Sequence, residues 1–495
     1  MISAELERLA LRCLFPGFPG LEPPDWIRRR LAAGLGGVVL YAWNVESRDQ
    51  VGRLTGMLRS EREPVLVAID EEGGDVTRLE AATGSSYPGN AALGIVDDVE
   101  LTQRVAVAMG GELAAVGIDL DFAPVADANT NPSNPIIGIR SFGADPELVA
   151  RHVAAFVSGL QEAGVAACAK HFPGHGDTDM DSHLELPTIR VDRETLVARE
   201  LVPFQAAIAV GTRAIMTAHI VVRALDDVPA TTSPSILDGL LRKELGFDGL
   251  VMTDALEMRA ISATVGVEEG AVRALVAGAD ALCMGHDLGD ESIESIVAAL
   301  VDAVRAGRLG EARLAEAASR VDRCAEWVAT REGATPPAGR EVGVEAARRA
   351  LQVEGEIELR DAPLVVELGP APTIAAGILR EGPGDWIERA IPGAEVVRLR
   401  GWPSTDRVHD GGRQLVVVAR DVHRHRWERE AIEELVAGRD DVVVVELGLP
   451  QWRPAGGAGY VATYGAGRVN VEAAVERLYS GSRRGVEQSG SSPGS

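Results

Sequence analysis

Short runs of β-branched and other apolar residues alternate with longer amphipathic stretches between residues 30 and 330. The stretches 99–116 and 146–163 have the apolar spacing of helices, whereas each short run has the length of a buried strand. Strands that alternate with helices indicate βαβ units and a parallel sheet. We predict seven such strands, at 37–41, 65–70, 119–125, 165–171, 214–220, 250–254 and 279–284. Seven strands over about 300 residues favour a (β/α)8 TIM-type barrel over an open sheet.

Polar residues end several of these apolar runs. They are Asp70, Lys170, His171, His219 and Asp254. In a (β/α)8 barrel the active site lies at the C-terminal ends of the strands, where the βα loops gather. Four runs that bring reactive groups to the same end therefore predict one shared site. The alternative is that the polar residues simply mark where each strand stops.

A second α/β pattern follows the predicted barrel. The barrel domain is expected to span 1–330, and a segment rich in Gly and Pro at 331–344 is expected to be a linker. Residues 345–480 are predicted to form a smaller α/β sandwich with helices on both faces of its sheet. The tail 481–495 is predicted to be disordered. The predicted strands of the second domain are 363–368, 414–419, 441–447 and 460–464.

Composition narrows the range of partners. The chain of 495 residues is 46% hydrophobic and 25% charged, with a formal net charge of −25. An acidic surface repels nucleic acid and anionic membranes, so we expect neither as a partner. The four cysteines form no CxxC pair, which argues against a disulfide framework. The N-terminal residues do not resemble a signal peptide, and no apolar run reaches the ~18 residues of a membrane span, so we expect a cytoplasmic protein.

The segment KHFPGHGDTDMDSHLELP at 170–187 is the richest in chemistry. One interpretation is a metal site built on His171 and His175, but Pro and Gly separate these histidines and no HExxH motif or thiolate set is nearby. The other is proton transfer by His183, with Asp181 two residues away to orient and charge the ring. We favour proton transfer, and we expect neither a metal nor a cofactor.

This segment resembles the signature of glycoside hydrolase family 3, in its bacterial β-N-acetylglucosaminidase branch. Further matching motifs follow in order along the chain. They are AIDEEGGDVTRL at 68–79, DLDFAPVADANTNP at 119–132, IIGIRSFG at 136–143, IMTAHI at 215–220 and VMTDALEM at 251–258. The sequence YVATYGAGRVNVEAA at 460–474 resembles the second domain of two-domain members.

The resemblance implies a retaining hydrolase that removes terminal β-linked N-acetylglucosamine from small carbohydrate substrates. It implies that Asp254 is the nucleophile and that Asp181 and His183 form the acid/base dyad. A retaining glycosidase needs such a pair on either side of the scissile bond. The residues implied to bind the sugar are Asp70, Arg78, Arg140, Lys170 and His171.

Three features have two interpretations each. Asp75 stands where many relatives have a basic residue after EEGG, and it either influences how the sugar is held or is a solvated loop carboxylate. His219 either hydrogen-bonds within the site or fills the barrel rim. The segment RDVHRHRW at 420–427 either reaches an anionic or sugar ligand or is a solvated loop and helix start.

Other activities remain as alternatives. The same fold is compatible with a β-N-acetylglucosaminide phosphorylase, because a histidine acid/base places less negative charge near an incoming phosphate. A β-glucosidase would usually take a glutamate acid/base from the second domain, which the Asp181–His183 pair argues against. The most distant alternative is a non-catalytic sugar-binding protein. The sequence leaves the natural aglycone and the oligomeric state open.

Overall fold

The computed structural model describes residues 2–178, 186–285, 288–330, 339–355, 357, 359, 362–369, 381–401 and 408–489, and the statements below refer to these residues. The chain divides into two compact units. The first unit comprises Met1–Glu72, Asp97–Ile137 and Ser141–Gly339. The second unit comprises Gly73–Val96, Gly138–Arg140 and Arg340–Ser495.

The first unit is built on parallel strands. Six of them form one sheet in the order β2-β3-β4-β5-β7-β9, and β1 pairs with β10. A parallel bridge between Met252 and Ala281 links the end of the sheet to the segment that enters β10. The short strands β6 and β8 pair separately. The strands are β1 (Leu14–Pro16), β2 (Gly37–Leu40), β3 (Leu66–Ile69), β4 (Leu120–Asp121), β5 (Ala166–Phe172), β6 (Thr188–Ile189), β7 (Ala214–Thr217), β8 (Val221–Val222), β9 (Leu250–Thr253) and β10 (Leu282–Met284).

Helices separate these strands along the chain, as the alternating pattern predicts. Two of the helical segments, Leu196–Glu200 and Ser235–Glu244, are π-helical. The α-helices of this unit are Ile2–Arg12, Asp25–Ala33, Arg48–Glu61, Val99–Ala115, Pro146–Glu162, Arg193–Thr195, Val202–Ala209, Arg259–Ser262, Val267–Ala277, Asp290–Arg305 and Glu311–Ala329. The curled parallel sheet with its helices confirms the predicted TIM-type barrel class.

Alternate residues of the barrel strands form one core. Successive side chains of a strand point to opposite faces, so every second residue enters the same layer. The final helix, Glu311–Ala329, closes this core with Val321, Cys324 and Ala325. The core residues from the strands and the positions next to them are Phe15, Val39, Leu66, Ala68, Leu120, Phe122, Ala166, Cys168, Ala214, Met216, Leu250, Met252, Ala281 and Cys283. The four cysteines, Cys13, Cys168, Cys283 and Cys324, are buried free thiols.

The second unit is an α/β sheet in the order β11-β16-β15-β14-β12-β13. Its strands run parallel except for β11, which pairs antiparallel with β16. The strands are β11 (Gln352–Gly355), β12 (Leu364–Leu368), β13 (Glu395–Leu399), β14 (Leu415–Ala419), β15 (Val442–Glu446) and β16 (Gly459–Ala462). Its α-helices are Asn90–Val96, Glu341–Ala350, Pro383–Ala390, Arg426–Val436 and Arg468–Ser489. This sheet with its helices matches the predicted second α/β domain.

The segment Gly73–Val96 belongs to the core of the second unit although it precedes most of the barrel strands. Ala91 and Ala92 pack in the same cluster as the sheet strands. A Cβ on Gly84 would lie 2.4 Å from the ring of Trp386, so only glycine fits at this contact. The segment is thus an integral part of the second unit, whereas the sequence pattern assigns it to the 1–330 domain.

Three further observations concern the predicted domain limits and membrane spans. The helix Glu341–Ala350 starts within the predicted linker, most of which lies outside the described residues. The last helix, Arg468–Ser489, continues past the predicted boundary at residue 480. In the described part of the chain, no helix has the length and apolar character that crossing a membrane requires.

Candidate active site

A buried lysine joins two carboxylates at the ends of β3 and β5. Lys170 is 1% exposed, and its Nζ lies 2.6 Å from Asp70 Oδ1 and 2.6 Å from Glu72 Oε1. The turn that carries both carboxylates is fixed by Asp121, whose Oδ1 accepts a hydrogen bond from the Glu71 N–H at 2.9 Å. Burial raises the pKa of Asp121 well above its usual range. The predicted pair of Asp70 and Lys170 is therefore brought together, with Glu72 as a third member.

A second buried carboxylate orients the histidines of the loop that follows β5. Asp127 accepts hydrogen bonds from His171 Nδ1 at 2.8 Å and from the His175 N–H at 2.7 Å. His175 Nδ1 in turn lies 2.8 Å from the hydroxyl of Thr178. Because Nδ1 of His171 is held by Asp127, the Nε2 edge is the part of this ring that can bind a ligand.

Close packing fixes the beginning of this loop. A Cβ on Gly176 would lie 1.7 Å from the Ala128 carbonyl oxygen, so the loop passes that backbone only because residue 176 is glycine. Asn134 donates hydrogen bonds from Nδ2 to the carbonyl oxygens of His175 and Gly176, at 2.9 and 3.1 Å. The described part of the loop, up to Thr178, is therefore a rigid extension of the strand end.

An arginine attaches the same loop to a neighbouring helical turn. Arg199 donates from Nη2 to Asp177 Oδ2 at 2.6 Å and from Nε to Glu200 Oε1 at 2.7 Å. Glu200 is fully buried, and a Cβ on Gly174 would lie 2.8 Å from its Cβ. Burial raises the pKa of Glu200 to about 7, even though the positive charge of Arg199 acts in the opposite direction.

The predicted nucleophile follows β9. Asp254 is half-buried, and its Oδ1 accepts the N–H of Ala255 at 2.7 Å. The adjacent His219 is fully buried, and its ring nitrogens contact Thr231 Oγ1 at 2.7 Å and the Ala255 carbonyl at 3.0 Å. His219 therefore packs under the backbone that carries Asp254.

Three carboxylates act on one buried thiol at the strand ends. Burial raises the pKa of Cys283, and the negative charges of Glu257, Asp254 and Asp70 raise it further. Asp70 directly follows β3 and Asp254 directly follows β9, and these strands run parallel in one sheet, so both carboxylates lie at the C-terminal end of the barrel strands. A Cβ on Gly285 would lie 1.6 Å from Glu257 Oε1, which shows how closely this carboxylate packs against the end of β10.

The remaining predicted site residues are Arg78, Arg140, Asp181 and His183. Arg78 and Arg140 lie in the second unit, each 8% exposed, and Asn90 Nδ2 donates to the Arg140 carbonyl at 2.7 Å. Asp181 and His183 lie outside the described residues. Within the described ranges, no group of three or more His, Cys, Asp or Glu side chains is arranged to hold a metal ion.

Sequence reasoning missed two of the charged residues at this site. Glu72 lies in the EEGG motif and Asp127 in the segment 119–132, so both were within recognised motifs. The available signal was the presence of a lysine and a histidine in an apolar strand, because a buried cationic group requires an acidic partner. Asp70, Glu72 and Lys170, together with His171 and Asp254, are polar groups suited to a hydroxyl-rich ligand, and Asp127 orients His171 from within the protein.

Comparison with known proteins gives a family. Residues 25–324 match the glycosyl hydrolase family 3 N terminal domain. The chain is 38% identical over 302 residues to a beta-hexosaminidase of Methylococcus capsulatus, covering 59% of this chain and 89% of that protein. It is 36% identical over 326 residues to beta-hexosaminidase A of Pseudoalteromonas piscicida, covering 60% of this chain but only 54% of that protein.

The fold is also that of solved family members. A glycoside hydrolase family 3 beta-N-acetylglucosaminidase from Paenibacillus sp. has a TM-score of 0.85 and 35% identity, over 96% of this chain and 97% of that one. A beta-glucoside phosphorylase shares the fold with a TM-score of 0.77 at 18% identity, over 95% and 91% of the two chains. On the extent of the family match, the chain belongs to glycosyl hydrolase family 3.

Proposed function

We propose that the chain is a retaining exo-β-N-acetylglucosaminidase that releases terminal β-linked N-acetylglucosamine from cell-wall or chitin-derived fragments. The observation that carries the proposal is the position of Asp254 directly after β9, at the same end of the parallel barrel strands as Asp70 and Lys170. The named relatives, which are beta-hexosaminidases and a beta-N-acetylglucosaminidase, support the substrate class. Turnover of peptidoglycan fragments is part of this proposal, and a cytoplasmic location stays a prediction from the sequence.

The first chemical step is the attack of Asp254 on the anomeric carbon. The Ala255 N–H hydrogen-bonds Oδ1 of this carboxylate, which stabilises the ionised form and fixes its orientation. His219 Nε2 lies 3.0 Å from the Ala255 carbonyl oxygen, so the next peptide along the chain is held as well. The covalent glycosyl–Asp254 ester then forms as the aglycone leaves.

The non-reducing sugar is held by the polar groups around Lys170. Asp70 is the most exposed member of the Asp70–Lys170–Glu72 triad, and we assign its carboxylate to the sugar hydroxyls. His171, with Nδ1 bound to Asp127, offers its Nε2 edge to the substrate. Arg78 and Arg140 are proposed to bind the N-acetylglucosamine unit, as the family resemblance implies.

The acid/base role is assigned to His183 with Asp181 as its partner. The imidazolium gives its proton to the departing aglycone oxygen, and the neutral ring then takes a proton from the water that cleaves the ester. Asp127 and Arg199 hold the described part of this loop. This supports the assignment because the backbone is held up to Thr178, three residues before Asp181.

The test of this function is the variant Asp254→Asn. Turnover of an aryl N-acetylglucosaminide should fall by at least about 10³-fold while the fold is retained, because an amide is a far weaker nucleophile. A fluorinated slow substrate should label the wild-type peptide that contains VMTDALEM. The matched control is Asp248→Asn, an 84% exposed aspartate on the barrel surface, which should keep wild-type turnover.

Three results would contradict the proposal. They are a near-normal rate for Asp254→Asn, a sugar adduct on another carboxylate, or faster turnover of the matching glucoside. Product analysis in phosphate buffer separates the reaction types, since a hydrolase releases free N-acetylglucosamine and a phosphorylase releases the sugar 1-phosphate.

A further inference from the structure

Two sequence features left without a function meet in the second unit. Asp75 follows the EEGG motif, and Arg420 begins the segment RDVHRHRW. Arg420 Nη2 lies 2.5 Å from Asp75 Oδ2. Asp75 is 5% exposed, so it is not a solvated loop carboxylate. The pair is a buried link between the segment Gly73–Val96 and the sheet of the second unit.

Arg420 is held in place from the sheet side. It follows β14 directly, and its Nε lies 3.6 Å from Asp421 Oδ2. Asp421 has a φ of 53° and donates its N–H to Glu446 Oε1 at 2.7 Å, while its own Oδ1 accepts the Leu449 N–H at 2.9 Å. The backbone that carries the Arg420 side chain is therefore held between the ends of β14 and β15.

The charges of the pair compensate each other. Burial alone would lower the pKa of Arg420, but the carboxylates of Asp75 and Asp421 raise it above the usual value. Removing one member would leave the other as a buried charge with less compensation. This lowers the free energy of unfolding far more than removing both members does.

Other contacts fix the rest of the Gly73–Val96 segment. A Cβ on Gly467 would lie 2.8 Å from the Gly74 carbonyl oxygen, so the two backbones touch. Glu80 accepts hydrogen bonds from Ser86 Oγ at 2.9 Å and from Arg340 Nη2 at 2.6 Å. The stretch between Gly74 and Glu80, which contains Arg78, is thus anchored at both ends.

We propose that Arg420 is a positioning residue that acts through Asp75 on Arg78, three residues further along the same segment. Arg78 is the arginine assigned above to N-acetylglucosamine, so the inference rests on the proposed function. It gives the second unit a role in substrate affinity: this unit holds the backbone that presents Arg78. The segment 420–427 then serves as an anchor, and its first residue is engaged by the protein's own carboxylates.

The test compares Asp75→Asn, Arg420→Gln and the double variant, using an aryl N-acetylglucosaminide. Each single variant should raise KM by about tenfold with kcat within about threefold, because Arg78 loses its position while the chemistry at Asp254 is intact. The double variant should recover part of the lost affinity, since it leaves no uncompensated buried charge. Arg420→Lys, which retains a charge but not the forked guanidinium, should lie between wild type and Arg420→Gln.

The matched control is Arg426→Gln. Arg426 belongs to the same segment but is 85% exposed and pairs with Glu430, so its loss should leave both KM and kcat unchanged. Thermal melting of each variant sets an assay temperature at which all are folded. A merely structural role would lower the active fraction, and hence the apparent kcat, and would leave KM unchanged.

Three results would overturn the inference. They are a wild-type KM in both single variants, a fall in kcat with KM unchanged, or a KM of the double variant that is no lower than that of the worse single variant. Failure of the proposed function is a different result, since wild-type protein would then not turn over the N-acetylglucosaminide at all. If Arg420→Gln does not fold, Arg420→Lys and Asp75→Asn still decide the matter through the KM-to-kcat comparison.

Discussion

Lys170 is an ammonium group buried between two carboxylates, with 2.6 Å to each. A buried lysine keeps its charge only when acidic groups compensate the lost hydration. The reverse also holds, since the carboxylates of Asp70 and Glu72 would repel each other without the ammonium between them. The three side chains are therefore one unit, and the orientation of Asp70 depends on Lys170.

Replacing Lys170 by methionine removes this charge with little change in side-chain length. We expect Lys170→Met to lower kcat/KM by at least about 100-fold, because two like charges then face each other in a buried site. The matched control is Lys243→Met on the surface, where the 72% exposed lysine pairs with Asp238. Steady-state kinetics on an aryl N-acetylglucosaminide checks both variants. Similar small effects in the two variants would show that Lys170 has no special role.

Position along the chain was enough to predict some of the site. Asp70, Lys170 and Asp254 stand directly after or within apolar strands, so their place at the strand ends follows from the pattern. Glu72 and Asp127 lie in irregular backbone, where periodicity carries no information. Their role as counter-charges depends on distances across the fold, which a single sequence does not contain.

At the scale of the element, the strands that could be predicted from the sequence are those that are mainly apolar and long enough to stand out from their surroundings. The buried strand β14 is wholly apolar and β15 is apolar up to its last residue, Glu446, and both were predicted within one or two residues. The strands β11 and β13 were missed because they lie at the two edges of the second sheet, with exposed polar positions. The barrel strand β1 was missed because it has three residues, LFP, directly after a helix.

The π-helical turn Leu196–Glu200 is another element that the pattern does not reveal. It places Arg199 and Glu200 so that one contacts Asp177 and the other packs against Gly174. The loop that leads to Asp181 and His183 is thereby attached to a neighbouring βα connection. The attachment contains a group with a pKa of about 7, Glu200, which titrates near neutral pH.

Glu200 should make the stability of the protein depend on pH. Its pKa is about 7 in the folded protein, against 4.5 ordinarily, so the folded state holds a proton that the unfolded state releases. The contribution of Glu200 to the free energy of unfolding is complete below pH ~4.5. It is lost as the pH rises to about 7, and the loss is on the order of 3 kcal/mol.

The variant Glu200→Gln tests this dependence, because the amide can still accept from Arg199 but cannot ionise. The fall in Tm between pH 5 and pH 8 should be smaller in Glu200→Gln than in wild type, measured by thermal unfolding at both values. Glu194→Gln, an exposed glutamate in the preceding turn, serves as the control and should follow wild type. Parallel pH dependence in all three proteins would contradict the assignment.

At the scale of the whole molecule, the sequence pattern gave two α/β regions in the right order but not the assignment of Gly73–Val96. This segment follows β3 along the chain, so a reading by sequence order places it in the barrel. Its packing against Trp386, Arg340 and Arg420 places it with residues that come 250 or more positions later. Contacts of such long sequence separation have no periodic signal.

The Methylococcus capsulatus relative raises the question of what the second unit does for this chain. The 302 matched residues cover 89% of that protein, so it is scarcely longer than the matched part. In this chain Asp75 is buried against Arg420. We infer that the Gly73–Val96 segment of this chain depends on residues beyond 339.

Truncation after Gly339 tests that dependence. The shortened chain would leave Asp75 and Glu80 without Arg420 and Arg340, and it would uncover Ala91 and Ala92, which now belong to an apolar core. Buried carboxylates without partners and a newly exposed apolar surface both destabilise, so we expect aggregation or loss of turnover. Size-exclusion chromatography and the N-acetylglucosaminide assay measure the two outcomes. A chain ended after Ser489, which retains the final helix, should behave as wild type. A monodisperse chain of residues 1–339 with wild-type KM would show that the barrel positions Arg78 unaided, and would also remove the basis for the role given to Arg420.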